Sequence, residues 1–566
     1  MPGKERQIYP RHNNTERLKH VLILSLAGLF TSLSGPAQVI DTATIASAAA
    51  LIDIRLTLPE KDSATEGLKD KLRLYRKMHT YNLPNSQPYP FSFTPALPGY
   101  TIPAKQLPVH WDIPAGTNLP KNQADLAFYS IPQLASLIKN KKISSVALTK
   151  FFLARLKKWG DTLECVITIT EALALQQASQ ADDELKKGIY KGPLHGIPYG
   201  LKDLFAVKGY KTTWGSVPYQ DQVIDEDAFV YLQLKKAGAV LCAKLSMGEL
   251  AFADRWFGGK TKNPWNITLG SSGSSAGSAS ATVAGLVPFA IGTETYGSII
   301  SPSHTCGATG LRPTFGSISR SGAMVLSWSL DKIGPICRSA EDAAIVFYYL
   351  KGTDGRDAGA VDRAFNYTGS THFKKLRIAY AANYFEQLPK DAKQWEVINT
   401  LRKSGAGVTA VDFPDSAAYP FNIIGTVIGA ESAAAFDELT RSDKDNLITR
   451  QDKNFWPNSF RVSRFIPAVE YINANRHRYT LMLAMQSFMK EYDVVIVPSF
   501  GGNQLPMTNL TGHPAICMPI AMNADGHPNS ITLIGNLYDE AAILAVAKAY
   551  QDATSFNKQH PPKFKE

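Results

Sequence analysis

The sequence predicts an α/β sandwich, and three observations carry that prediction. Short apolar runs with strand character, at 165–170, 239–243, 375–380 and 493–497, alternate with stretches of helical periodicity; this is the pattern of a sheet packed between helices. The chain has 566 residues, 44% hydrophobic and 19% charged, an ordinary globular balance with ample material for a core. A change of texture near Asp125 separates this body from a different N-terminal region.

The elements follow in chain order. In residues 1–37, Lys4, Arg6, Arg11, Arg17 and Lys19 precede a short apolar run at 21–33, and Ser34-Gly35-Pro36-Ala37 follows. A basic leader, an apolar run and small residues at a cleavage point resemble a secretory signal peptide. The run falls short of the about 20 residues that a transmembrane helix needs. The chain is therefore expected to be exported, periplasmic or secreted, without stable membrane insertion.

Residues 38–124 read as an N-terminal arm. It is helical in part, with an apolar stretch at 48–58 and a basic amphipathic one at 68–78. Nine prolines then fall within 81–120. Proline fixes φ and removes backbone donors, so this stretch is expected to be extended, either wrapping a larger body or linking to it. The body spans 125–560. Ser130 and Pro132 open a helix bearing Leu134, Leu137 and Ile138; Ser144 or Ser145 caps a second one bearing Val146, Phe152, Leu153 and Leu156. A strand at 165–170 and an Ala/Gln-rich helix at 171–187 follow.

Composition narrows the function classes. The formal net charge is +11, but Lys and Arg are scattered and the longest cluster is 139–142. That pattern is a solvated basic surface, and no nucleic-acid partner is expected. The five cysteines are far apart and never spaced C-x-x-C. Small buried thiols are expected, with one disulfide left open; no metal site is implied.

Chemistry concentrates in three segments. In the first, 192–204, Ile197, Tyr199 and Leu201 alternate with Pro198, Gly200 and Lys202. As a strand this places Lys202 on the face with the smallest neighbours. Desolvation and a nearby positive charge would lower its pKa, and service as a base near pH 7 needs a shift of about 3 units. A structural lysine is the competing reading. The second, 270–280, carries no side chain larger than Ser. A flexible linker, a close backbone approach and a phosphate cradle are the options, but the P-loop pattern is missing. An apolar, helix-compatible run at 279–291 follows directly. The third, 292–299, sets Ser298 after Gly297 in a tight turn, where converging backbone N–H groups could stabilise an oxyanion. Ser301 stands where the G-x-S-x-G elbow has Gly, so that motif is not matched. His195, His304 and His513 read as core or turn histidines rather than triad members.

Together the three segments resemble the amidase signature family. The order of Lys202, the Gly/Ser-rich loop and T-[DE]-x-x-G-S matches it, as does the 24-residue step from Ser274 to Ser298. Residues 262–265, 306–313 and 511–515 also fit, and the likeness covers roughly 125–555. It implies a mixed central β-sheet flanked by helices on both sides. It implies Ser298 as nucleophile, Ser274 across a cis peptide as proton relay, and Lys202 as neutral base. Ser275 would support the relay, and the N–H groups of Thr295, Tyr296, Gly297 and Ser298 would form the oxyanion hole. No metal or cofactor is implied. Glu294, Tyr296 and Ile300 depart from Asp, Gly and Arg in many relatives; Glu and a non-Gly residue at the first two are similar to peptide amidase-like members. Losing the Arg removes a carboxylate anchor and argues against a small anionic substrate.

The expected function is hydrolysis of an amide carbon–nitrogen bond in a small or peptide-derived amide. Two alternatives stand beside it: the A subunit of a glutamyl-tRNA amidotransferase, and a non-catalytic family relative.

Overall fold

Residues 39–81, 83–87, 89–102 and 105–565 are described by the computed structural model of the chain; the signal-like segment 1–37 lies outside them. The chain divides after Asn82 into two units. The first holds two helices. Asp41 caps Thr42–Leu51, its carboxylate accepting from the Thr44 N–H at 2.7 Å. Leu58–Met78 begins with a capping box of Thr57 and Glu60 and carries Arg76 and Lys77 in its last turn; these charges complement the helix dipole. The apolar stretch 48–58 thus spans the break between two helices.

The second unit is built on one sheet of eleven strands. In chain order they are β1 (Val166–Ile169), β2 (Pro198–Lys202), β3 (Val240–Leu245), β4 (Ala290–Glu294), β5 (Thr309–Arg312), β6 (Lys332–Cys337), β7 (Ile378–Ala381), β8 (Val408–Val411), β9 (Val494–Pro498), β10 (Ala515–Met522) and β11 (Pro528–Gly535). Across the sheet the order is β1-β3-β2-β4-β6-β5-β10-β11-β9-β7-β8. Parallel pairs β2–β3, β2–β4, β7–β9 and β7–β8 are mixed with antiparallel ones, so the sheet is of the expected mixed kind.

Side-chain alternation explains why helices cover both faces. Val494 and Ile496 belong to one apolar cluster, while Val495 and Val497 belong to another. The first cluster includes the helices Ala340–Leu350 and Glu540–Ala553; the second takes in Ile423–Ala435 and Ala468–Met489. Strands apolar on both faces read as continuous hydrophobic runs, as β9 and β3 do. The expected caps are present: Ser130 forms a capping box with Gln133, and Ser144 accepts from Ala147 N–H.

Two outcomes refine the sequence reading. The run 279–291 is not one helix. Ala276–Val283 ends at Gly285 (φ +66°), where the Leu286 N–H returns to the Ala281 carbonyl at 2.8 Å, and β4 begins at Ala290. This is a helix stop built on a left-handed glycine, with Pro288 just beyond. The proline-rich stretch after Asn82, in turn, lies against the body of the same unit. Its own backbone pairs little, so side-chain amides stand in for a neighbouring strand. Asn85 donates to the Val325 carbonyl and accepts from the Val325 N–H, both at 2.9 Å; Gln106 does the same with Phe365, also at 2.9 Å.

Candidate active site

Lys202 ends β2, the third strand from one edge of the sheet, between β3 and β4, and is wholly buried. Its Nζ lies 2.8 Å from Ser274 Oγ, 3.1 Å from Ser275 Oγ and 2.8 Å from Thr293 Oγ1. All three neighbours are hydroxyls. Lys244, on adjacent β3 and equally buried, instead meets the Asp203 carboxylate at 2.7 Å. Lys244 is the structural lysine of the two.

Burial pushes the Lys202 amine down to about 7, against the upward pull of Asp331 and Glu294. The sequence reading invokes a nearby positive charge as well. That part is corrected: desolvation does the work, and the charges that act on Lys202 are carboxylates. Near neutral pH the amine is then substantially unprotonated, with a lone pair to accept a proton.

The hydroxyl hydrogens can be assigned. Ser275 Oγ donates to the Thr293 carbonyl at 3.0 Å and accepts from the Thr293 N–H at 3.1 Å. Its proton is committed, so it serves Lys202 as an acceptor. Ser274 and Thr293 remain as hydroxyls free to donate to the lone pair. Space for this arrangement comes from missing side chains. A Cβ on Gly292 would lie 2.7 Å from Ser275 Oγ, and one on Gly273 would lie 1.8 Å from the Ala253 carbonyl oxygen. The Gly273–Ser274 peptide is cis. The small-residue run is therefore neither linker nor phosphate cradle: its first half packs against Ala253, and from Ala276 on it is helix.

Ser298 stands in the turn after β4, with Gly297 at φ +89° and Ser298 itself 8% exposed. The Ser275 N–H donates to the Ser298 carbonyl at 3.2 Å, which ties this turn to the serine pair. The backbone N–H groups of Tyr296, Gly297 and Ser298 donate to no described residue, leaving donors for an anion.

Glu294 fixes the turn from below. Its carboxylate accepts from the N–H groups of Ile299 and Ile300 at 2.9 and 3.0 Å, from Arg312 at 2.7 Å and from Asn509 at 3.0 Å. Burial raises its pKa, but Arg312 and Lys332 outweigh that and hold it at about 2. It is thus charged throughout the working range. Thr295 is tied to Asp331 at 2.6 Å. Sequence reasoning noted Glu294 only as a departure and missed Thr293, Arg312 and Asn509. Thr293 lies in the same motif, but seeing it beside Lys202 requires the parallel register in which Leu201 faces Ile291.

His195 and His513 sit in structural contacts as expected, and His304 Nδ1 lies 2.5 Å from Ser530 Oγ. His195 Nε2 lies 2.9 Å from the Ala181 carbonyl, and His513 is buried beside Thr511 at 2.8 Å. The five cysteines are buried and free, which closes the open disulfide question. Among the described residues no helix is long and apolar enough to cross a membrane.

Residues 147–507 match the family model described as Amidase. The A subunit of glutamyl-tRNA(Gln) amidotransferase from Coxiella burnetii is 34% identical over 478 residues, 76% of this chain and 99% of that protein. The solved structure of native peptide amidase from Stenotrophomonas maltophilia superposes with a TM-score of 0.67 at 26% identity, covering 76% of this chain and 97% of that one. The amidotransferase A subunit from Thermotoga maritima, 23% identical over 76% of this chain and 96% of its own, shares the fold at a TM-score of 0.63. With a match over most of its body, the chain belongs to the amidase family of enzymes that act on amide carbon–nitrogen bonds.

Proposed function

We propose that the chain is a free-standing hydrolase of small or peptide-derived amides, working through an acyl-enzyme on Ser298. One observation carries the reading: a buried lysine held near pKa 7 stands 2.8 Å from Ser274 Oγ, with no carboxylate to claim it.

The steps follow from that pair. Ser274 gives its hydroxyl proton to the Lys202 lone pair and takes the proton of Ser298 as the Ser298 oxygen attacks the amide carbon. The carbonyl oxygen becomes an anion facing the N–H groups of Thr295, Tyr296, Gly297 and Ser298. When the carbon–nitrogen bond breaks, the proton returns from Lys202 through Ser274 to the departing nitrogen, which leaves as a neutral amine or ammonia. Water then attacks the ester, its proton taking the route to Lys202. The acid departs as Ser298 regains its proton. Ser275 holds the relay in place and contributes no proton. The basic, apolar leader at 1–37 supports an exported enzyme.

A second reading is the A subunit of an amidotransferase, favoured by the 34% identity to that protein of Coxiella burnetii. Ammonia release from a panel of uncharged amides by the chain alone, lost in Ser298→Ala, is the result expected of a free-standing hydrolase. Glutamine as the one amide hydrolysed, and only once partner subunits are supplied, would carry the second reading instead.

A further inference from the structure

A cavity of about 150 Å3 adjoins the catalytic unit. Its wall includes Thr293, whose Oγ1 touches Lys202 Nζ at 2.8 Å, and Thr295, which opens the nucleophile turn. A volume of that size accommodates one aromatic ring. The same cavity is lined by Tyr89 and Phe91 from the proline-rich arm and by Met324 and Trp328 from the body.

The arm residues form a surface rather than a chance contact. The Tyr89 ring lies 5.5 Å from that of Phe91 and 5.7 Å from that of Trp328. Asn85 pins the preceding residues to both backbone groups of Val325. Yet Tyr89 is 40% and Phe91 75% exposed, so aromatic area remains for a ligand to cover.

Charge on the wall argues for what that ligand is. Three acidic residues (Glu226, Asp331 and Asp357) face three basic ones (Arg320, Lys332 and Arg356). Arg320 pairs with Asp357 at 2.7 Å and Arg356 with Glu226 at 3.1 Å. Asp331 accepts from Thr295 and from the N–H groups of Leu326 and Ser327, and Lys332 donates to the Leu330 carbonyl. Two ion pairs match four of the six, and Asp331 and Lys332 spend their hydrogen bonds on neutral groups of the protein, so no cluster of one sign awaits a charged substrate.

We infer that Tyr89 and Phe91 are specificity-determining residues, forming an aromatic wall that receives an uncharged aromatic group of the amide substrate. This rests on the hydrolase reading above. Both residues lie outside the stretch 147–507 that matches the family, so the arm adds to the preference a wall that the catalytic motifs do not encode.

The test compares kcat/KM for acetamide with that for phenylacetamide and for acetanilide, which carry the ring on the acyl and the amine side. Wild type should prefer one of the two ring-bearing amides over acetamide. In the double variant Tyr89→Ala, Phe91→Ala the preference should fall about tenfold, the scale of one lost aromatic contact. Asn85→Ala, which frees the arm without altering either ring, should shift it in the same direction. Leu107→Ala, on the arm but away from the cavity lining, should retain the wild-type ratio. Active wild type with no preference for a ring, or an undiminished preference in both arm variants, would overturn the inference while leaving the hydrolase reading intact. Wild type that hydrolyses no amide and takes no fluorophosphonate on Ser298 would instead overturn the hydrolase reading, and the inference with it.

Discussion

Replacing Lys202 by Met should remove activity while changing stability in a way that depends on pH. The amine has an ordinary pKa of 10.5 and is held at about 7 in the fold. Below both values the buried lysine costs the folded state about 5 kcal/mol, from 3.5 units at 1.36 kcal/mol each. Between about pH 7 and 10.5 the unfolded chain binds the proton that the folded one does not, so the wild type gains stability as pH rises. The cost is about 4 kcal/mol at pH 7 and about 2 at pH 9. Met fills similar space and has no titration. It strands the Ser274 and Thr293 hydroxyls, at about 1–3 kcal/mol each, but that loss is the same at every pH. Urea unfolding of both proteins at pH 7 and 9 therefore isolates the amine. The wild type should gain about 2 kcal/mol on Lys202→Met over this interval. A difference that stays flat would refute the claim that the fold holds Lys202 near neutrality.

Further outcomes follow from the same network. The rate of acylation should rise with an apparent pKa near 7 as Lys202 loses its proton; a rate independent of pH from 6 to 8.5 would point to a different base. Glu294→Gln should cost roughly 3–5 kcal/mol in urea unfolding, because it leaves Arg312 buried without its partner, and should lower kcat by loosening the Ser298 turn; a loss below about 1 kcal/mol would contradict that role. Ser275→Ala should lower kcat more than it raises KM, since the Ser275 hydroxyl is spent on ordering Lys202 and Thr293. Reducing agent should leave the melting temperature unchanged, because all five cysteines are free.

How much of this was legible in the sequence depends on distance along the chain. Ser130 and Ser144 announced their helices because a cap is a local event, settled within four residues. Strand β3 was visible because its first four residues, 240–243, are apolar and buried on both faces. The 279–291 run misled because Gly285 and Pro288 were outweighed by the apolar residues around them. At the site, Lys202, Ser274 and Ser298 were legible as a motif order. What they touch was not. Thr293 reaches Lys202 through strand register, and Asn509 reaches Glu294 across 215 residues. No spacing rule encodes either contact. Tyr89 and Phe91 were likewise hidden in a segment whose prolines said only that it would be extended.

The most direct test is the mass of the intact protein after treatment with a fluorophosphonate. Wild type should gain one adduct, located to Ser298 by peptide mapping. Ser298→Ala should gain none, and Lys202→Met should react far more slowly at pH 7.5. An adduct on another serine, or equal labelling of Ser298→Ala, would contradict the assignment of Ser298 as the nucleophile.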